Sequence, residues 1–440
     1  MKITRREWLG AVSTAPLLAN KAGKPKPNII FILSDDHHYQ CLGAAGNPYI
    51  QTPNLDRLAK RGVNFTSGII STPQCCPSRG ILLSGLETYQ SGLLSNGETG
   101  FRQGFGPTAI EQLRRGGYDT ALIGKWHIRQ GPEECGFTKG PLWLREGGSV
   151  YRDPKLRRGL EAQDETIPGH ITDLFTDAAL KYIRSARQPF LLWLAYNAPH
   201  GPRWEEERYQ RLYRGKNPIA PPAHPPGSAA VDWAGYYSTI THLDEAVGRV
   251  IAELEKAALW ENSLIVFLGD NGLMFNTKGI GGKVVPWEES IRVPYLVAGG
   301  MVKDGLRLQA PVASVDLPAT WLDLAGIFPA YRLAGRSLRS YLTTGTGIFE
   351  AAFATWADGR AGALVGDLKM VVEPYRLVRT PRYKLIRWQS GKQALYDLQQ
   401  DPAEDRDLIE EAKYAEIRGE LRERLVARMK ETDDSARQWA

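Results

Sequence analysis

Asn28-Ile29-Ile30-Phe31-Ile32-Leu33-Ser34 is a run of strand length that stays apolar almost throughout and stops at Asp35-Asp36. A strand with one wet face alternates apolar and polar residues. A run this uniform implies burial on both faces, the habit of a central strand in a parallel sheet. The two carboxylates sit at its carboxyl end, where open α/β sheets gather their ligands.

The same alternation continues outward. Leu55, Leu58 and Ala59 share one helical face behind Pro53, with Thr52 expected as the cap and Gly62 as the stop. Residues 109–115 read as helix, 120–124 as strand, 172–187 as helix and 190–196 as a second buried strand. A helix follows over 236–258, with Ile240, Leu243, Val247, Val250, Ile251 and Leu254 on one side, and residues 263–268 form another strand. This order predicts an α/β fold: a large, mostly parallel sheet sandwiched by helices. Three segments break the rhythm: polar 142–168, proline-rich 201–232 and glycine-rich 272–286. They are expected to be loops that wall a pocket.

The pattern changes near residue 350. Short strands are expected at 377–379, 383–388 and 394–398, then a charged amphipathic helix at 418–431. The predicted organisation is a catalytic domain over 27–350 and a smaller α+β subdomain with an antiparallel sheet over 351–440.

The chain has 440 residues, 42% apolar and 24% charged, with a formal charge of +6. Most of that excess is at the front, where Lys2, Arg5, Arg6, Lys21, Lys24 and Lys26 face only Glu7. The rest is near neutral, which gives no basis for nucleic-acid binding. Thr4-Arg5-Arg6-Glu7-Trp8-Leu9 is similar to a twin-arginine motif, followed by an uncharged stretch from Trp8 to Ala19. Residues 1–22 therefore read as an export signal for the twin-arginine machinery, giving a periplasmic or secreted protein. No apolar run approaches the ~20 residues of a membrane span. The four cysteines, Cys41, Cys75, Cys76 and Cys135, are too few for a disulfide scaffold. A Cys41–Cys135 bridge is left open.

Chemistry concentrates in a few motifs. Asp35-Asp36 and Asp270-Asn271 both end apolar strands, and together they offer an all-oxygen donor set suited to Ca²⁺ or Mg²⁺. Turn formation alone accounts for either pair taken singly. Cys75-Cys76-Pro77-Ser78-Arg79 is a C-x-P-S-R signature. It resembles the modification signature of the sulfatase family, formylglycine-dependent and arylsulfatase-like, within the alkaline phosphatase superfamily. Gly124-Lys125-Trp126-His127, Ala198-Pro199-His200, Asp270-Asn271-Gly272 and Gly282-Lys283 stand in sulfatase order. Trp287–Pro294, Leu395-Tyr396-Asp397-Leu398 and Asp401-Pro402 are similar to family segments as well. The likeness spans about 28–405.

The resemblance implies that Cys75 is oxidised by a formylglycine-generating enzyme to Cα-formylglycine, whose hydrated gem-diol attacks sulfur. It assigns Asp35, Asp36, Asp270, Asn271 and residue 75 to a calcium ion. It sets Arg79, Lys125, His127, His200 and Lys283 around the sulfate. Asp270 is expected to act as base or orienter, His200 or Lys283 as acid toward the leaving alcohol, and His127 in regenerating the aldehyde. Cys76 departs from the small polar residue common there; the fixed spacing to Pro77 and Arg79 still selects Cys75. His37 is a marginal pocket candidate, as are Thr172 and Asp173; His170, His224 and His242 have no motif support. Trp126, Tyr196 and Trp287 fit a sugar platform or core packing equally. The substrate expected is a sulfated carbohydrate or other sulfated small molecule. The rivals are phosphonate or phosphate monoester hydrolysis, and a non-enzymatic binder of sulfated glycans.

Overall fold

The computed structural model describes residues 25–97, 100–216, 219–221, 232–359, 362–365 and 368–439. The export-signal reading on 1–22, and His224, lie outside them.

The chain runs through β1 (Asn28–Ser34), α1 (Pro53–Lys60), β2 (Gly62–Phe65), α2 (Cys75–Ser84), α3 (Ala109–Arg115), β3 (Asp119–Lys125) and β4 (Lys139–Leu144). It continues through α4 (Ile171–Ser185), β5 (Phe190–Ala195), α5 (Trp233–Lys256), β6 (Ser263–Gly269), β7 (Met274–Thr277), β8 (Ile280–Gly282), β9 (Tyr295–Ala298), β10 (Leu306–Leu308) and α6 (Asp316–Leu324). The main sheet has the order β10-β2-β9-β6-β1-β5-β3-β4. The strands from β6 to β4 are parallel, and β9 is antiparallel to both β6 and β2.

β1 shows why its sequence is apolar from Ile29 to Leu33. Ile29, Phe31 and Leu33 join one hydrophobic cluster with Leu82 and Leu83 of α2, Ile110 and Leu113 of α3 and Trp321 of α6. Ile30 and Ile32 point the other way, onto Leu55 and Leu58 of α1, Phe175 of α4 and Val247 and Val250 of α5. Two such cores on opposite faces make a helix–sheet–helix sandwich.

Local expectations failed at two places. Thr52 does not cap α1: its hydroxyl accepts from Gly43 N–H (2.8 Å) and donates to Asp56 Oδ1 (3.1 Å). Gly62 does not end that helix either. It opens β2, where a Cβ would lie 2.1 Å from the Val297 carbonyl. Cys41 and Cys135 are both free and buried in different clusters, so the possible bridge is absent.

After residue 350 come β11 (Ala352–Trp356), β12 (Gly362–Val365), β13 (Leu368–Val371), β14 (Tyr375–Arg379), β15 (Tyr383–Trp388), β16 (Gln393–Asp397) and α7 (Ala415–Glu431). The separate antiparallel sheet β11-β14-β15-β16 carries α7 on one face, through Leu421, Leu425 and Met429. Its other face packs on Ile69, Ile81 and Ile291. The 272–286 segment is not a plain loop. β7 and β8 pair there, and β8 pairs onward with β12 to form a second small sheet, β13-β12-β8-β7, that crosses residue 350. The 142–168 segment is also partly ordered, with β4 reaching Leu144 and Lys155-Leu156 pairing with Glu165-Thr166. No helix among the described residues is long and apolar enough to cross a membrane.

Candidate active site

The carboxyl ends of β1, β6, β3 and β5 deliver Asp35-Asp36, Asp270-Asn271, Lys125 with His127, and His200 to one place. Backbone bonds stitch these ends together: Asp35 N–H donates to the Ala198 carbonyl (3.0 Å), Asp270 N–H to that of Ser34 (2.8 Å) and His37 N–H to that of Asn271 (2.9 Å). Cys75 enters as the first residue of α2, all of whose residues are buried.

Ligand atoms of Asp35, Asp36, Cys75 and Asp270 all lie within 4.8 Å of one another, and all four residues are buried. Each carboxylate has its own cation. Lys125 Nζ pairs with Asp35, Lys283 Nζ with Asp36, and Arg79 with Asp270. Asn271 Nδ2 donates to Asp36 Oδ1 (2.6 Å) and its Oδ1 lies 3.4 Å from Lys283 Nζ. The Cys75 thiol donates to Asp35 Oδ1 (3.4 Å), and Lys283 Nζ sits 2.8 Å from the sulfur.

These contacts sort the carboxyls. Burial opposes ionisation of Asp35 and Asp36, but nearby cations, chiefly Lys125 for the first and Lys283 for the second, outweigh it and hold both below the usual range. Asp270 moves the other way, raised by burial and by the Asp35 charge despite Arg79. Among the three, Asp270 takes a proton most readily. Lys283 stays charged because Asp36 outweighs its burial. Burial, with Asp35 beside it, pushes the Cys75 thiol up to about 12. The positive end of a helix ordinarily favours a thiolate. Here that influence loses, so the encoded thiol is a poor nucleophile.

The histidines lie at the rim. His200 Nδ1 is 2.6 Å from the Gly201 carbonyl, an acceptor only, so Nδ1 carries the ring proton. Its Nε2 faces Asp36 Oδ2 at 3.9 Å. His127 adopts φ +60°, and burial, then Lys125 and Arg79, push its pKa down to about 2. Its Nδ1 is buried without a hydrogen-bond partner among the described residues. The backbone of Gly147-Gly148 stands over both rings: a Cβ on Gly147 would lie 2.5 Å from His127 Nε2, and one on Gly148 3.0 Å from His200 Cε1.

Every residue assigned from the resemblance thus falls in one cluster. Cys76 does not; it packs in the main core, and its N–H donates to Asn96 Oδ1 (2.9 Å). His37 is tied to Ser34 Oγ and the Cys41 carbonyl, both at 3.0 Å, and holds the Asp35 turn rather than facing the cluster. Asp173 pairs with Arg249 and His242, elsewhere. Trp126 and Tyr196 are wholly buried, which makes them core and not a sugar platform; Trp287 is half-buried and meets Tyr396 edge-on. Two features were not foreseen: the Gly147-Gly148 roof, and Tyr236 on α5, whose hydroxyl donates to the Asp36 carbonyl (2.5 Å). Neither carries a sequence signal.

The Sulfatase family model matches residues 27–327. The chain belongs to the sulfatase family. A second family model, N-sulphoglucosamine sulphohydrolase, C-terminal, matches residues 278–431. An ulvan-active sulfatase of Formosa agariphila is 28% identical, over 93% of this chain and 82% of that protein. An N-acetylglucosamine-6-O-sulfatase of Bacteroides thetaiotaomicron is 25% identical, over 93% and 87%. A solved structure of a protein in complex with its substrate D-glucosamine-2-N,6-O-disulfate shares the fold, with a TM-score of 0.82 at 24% identity over 93% of this chain and 99% of that one. This sulfatase is therefore a sulfuric ester hydrolase of the alkaline phosphatase superfamily, and the buried cluster at the strand ends is its candidate active site.

Proposed function

We propose that this sulfatase removes sulfate from a sulfated carbohydrate, using Cys75 converted to Cα-formylglycine and a calcium-type ion held by Asp35, Asp36, Asp270, Asn271 and residue 75. The carrying observation is the setting of Cys75: a buried thiol, poor as a nucleophile, in contact with Asp35 and Lys283 amid three carboxylates. The donor set fits, being oxygen-rich and hard. When bound, the ion supplies Lewis acidity toward a sulfuryl oxygen, and the hydrated aldehyde supplies a hydroxyl for attack on sulfur.

The chain's own residues do the rest. Three carboxylates face three cations, so a dication added to the set leaves positive charge for an anionic sulfate ester. Lys125 and Lys283 bind that group. Arg79 fixes Asp270, whose raised pKa suits it to receive a proton from the attacking hydroxyl. His200, its Nε2 turned toward the cluster, attends the leaving oxygen. His127, neutral in the free site, accepts a proton when the aldehyde is restored, the bound sulfate then offsetting the Lys125 and Arg79 charges that lower its pKa. The relative described as an N-acetylglucosamine-6-O-sulfatase, and the fold neighbour in complex with D-glucosamine-2-N,6-O-disulfate, support the carbohydrate reading. Export through the twin-arginine route belongs to the same proposal and rests on Arg5-Arg6 before an uncharged stretch.

The test is sulfate release from a panel of sulfated oligosaccharides, with protein co-expressed with a formylglycine-generating enzyme. Aryl sulfate, phosphate and phosphonate esters are assayed beside them. Preference for a phosphonate, or equal turnover by protein lacking the aldehyde at residue 75, overturns the reading.

A further inference from the structure

A second cluster of ligand-type side chains lies apart from the residues assigned to catalysis. His170 precedes α4, Glu205 lies in the segment after β5, and His242 is on α5. All three are buried, with exposures of 4%, 3% and 1%. Ligand atoms of the three lie within 4.8 Å of one another. Glu205 Oε2 is shared: His242 Nδ1 lies 2.8 Å away and His170 Nε2 3.4 Å. The two rings are 4.4 Å apart between centroids, and Tyr209 stacks on His242, also at 4.4 Å.

Two details point to a ligand. Glu205 Oε1 is buried with no hydrogen-bond partner among the described residues. A buried carboxylate oxygen left unpaired is costly. And His242 presents its far nitrogen, Nε2, to Asp173 Oδ2 at 3.4 Å, while Asp173 is itself held by Arg249 Nη1 at 3.0 Å. A carboxylate behind a histidine fixes the ring and its tautomer, the usual arrangement behind metal-bound imidazole.

We propose that His170, Glu205 and His242 form a binding site for a divalent transition ion of the zinc type, distinct from the site at Asp35 and Asp36. Two imidazoles and one carboxylate are the nitrogen–oxygen set that zinc and its neighbours accept and that calcium does not favour. His242 Nδ1 and His170 Nε2 are the ligating nitrogens, Glu205 the carboxylate, and Asp173 the residue that orients His242.

The bare alternative is a protonated His242 shared between Glu205 and Asp173. Burial opposes that charge, but the nearby Asp173 carboxylate and the hydrogen bond to Glu205 outweigh it and push the pKa up to about 9. A metal ion takes the place of that proton: one proton leaves His242 Nδ1, while Nε2–H stays on Asp173. At His170 the ring proton passes to Nδ1, which gives up its long contact with Thr172 N–H (3.3 Å).

The site has a clear mechanical role. Glu205 closes the segment that starts at His200, and Tyr151 links the two centres, its ring against His170 and its hydroxyl donating to the His200 carbonyl (2.8 Å). An ion joining α4, α5 and this segment holds His200 in place.

The experiment is thermal unfolding of the full chain, stripped with chelator and dialysed, with Zn²⁺ or Ca²⁺ added alone. Zinc at about a hundredfold excess over its Kd should raise the midpoint by roughly 3 °C. The rise should vanish in Glu205→Gln and His242→Gln and persist in Asp36→Asn, which alters the other cluster. Elemental analysis of wild-type protein dialysed against both ions should find about one zinc per chain; this measurement needs no variant to fold. No retained zinc, or a zinc response that survives Glu205→Gln and His242→Gln but is lost in Asp36→Asn, overturns the proposal.

Discussion

Arg79 grips one oxygen of Asp270 twice: Nε lies 3.1 Å and Nη2 2.8 Å from Oδ2. The other oxygen, Oδ1, is left to accept from the Asp36 N–H at 3.2 Å. The remaining Arg79 donor, Nη1, reaches the Lys125 carbonyl at 2.6 Å. One guanidinium on α2 therefore sets the spacing between the ends of β1, β3 and β6.

A lysine at this position keeps the charge but loses the fork. Arg79→Lys is expected to lower kcat/KM by at least ~10²-fold, because misplacing a reacting group by about 1 Å has that effect. Steady-state assays on any turned-over sulfate ester, alongside thermal unfolding, check it. Activity within threefold of the parent would show that Asp270 needs no such clamp.

Cys75 and Cys76 are neighbours in sequence with opposite surroundings, one facing the carboxylates and one in the main core. Cys75→Ala is expected to abolish turnover with little change in unfolding midpoint. Cys76→Ala is expected to keep turnover and to cost about 1 kcal/mol through lost packing. Mass spectrometry of the active protein should find the aldehyde at residue 75; finding it at 76 reverses the assignment.

The sequence made the central sheet readable because burial on both faces leaves an unmistakable apolar run, as in Ile29–Leu33, and because α4 and α5 each keep one apolar face. The candidate site was readable for a different reason. Its residues cap strand ends in short motifs, so chain order predicts that they meet. What stayed hidden depends on distant partners. β7 and β8 hold few apolar residues, and their sheet is completed by β12, some 80 residues on. Thr52 looked like a cap until Gly43 and Asp56 claimed its hydroxyl. His170, Glu205 and His242 come from three separate segments, and no local pattern unites them.

Glu288 tests how the two sheets are fastened. Its carboxylate is buried against Arg379 Nη2 (2.8 Å) on β14 and Lys384 Nζ (3.4 Å) on β15. Burial disfavours its charge, but Arg379 and Lys384 outweigh that and hold the carboxyl well below its usual range. Glu288→Gln leaves the buried Arg379 guanidinium without its carboxylate, while Lys384 keeps Glu404, a loss of ~3 kcal/mol. Chemical unfolding should show it, with specific activity at 25 °C unchanged in the folded fraction.

Gly147 offers a nearly pure test of positioning. A methyl group there would collide with His127 Nε2, the free end of the ring, rather than with backbone. Gly147→Ala is expected to turn the ring aside, lowering kcat about tenfold or more while the unfolding midpoint moves little. An unaltered kcat would remove His127 from the reaction.

Stability should peak near pH 6.5 in protein held in chelator, and three histidines give the reason. Burial lowers His37 to about 4 despite its bond to the Cys41 carbonyl. Burial, with Lys125 and Arg79, lowers His127 to about 2. Below pH 6.5 the unfolded chain takes up protons on these two that the folded chain refuses, so stability falls as pH falls. His242 works in the opposite sense. Its carboxylate partners raise it against burial to about 9. Its contribution is complete below 6.5 and is lost as pH climbs through 9. Denaturant titrations at pH 4.5, 6.5 and 9 should trace both limbs. His242→Gln should flatten the alkaline limb and leave the acid limb in place. An alkaline limb that survives this substitution would mean that the charge lost between pH 6.5 and 9 belongs to another group.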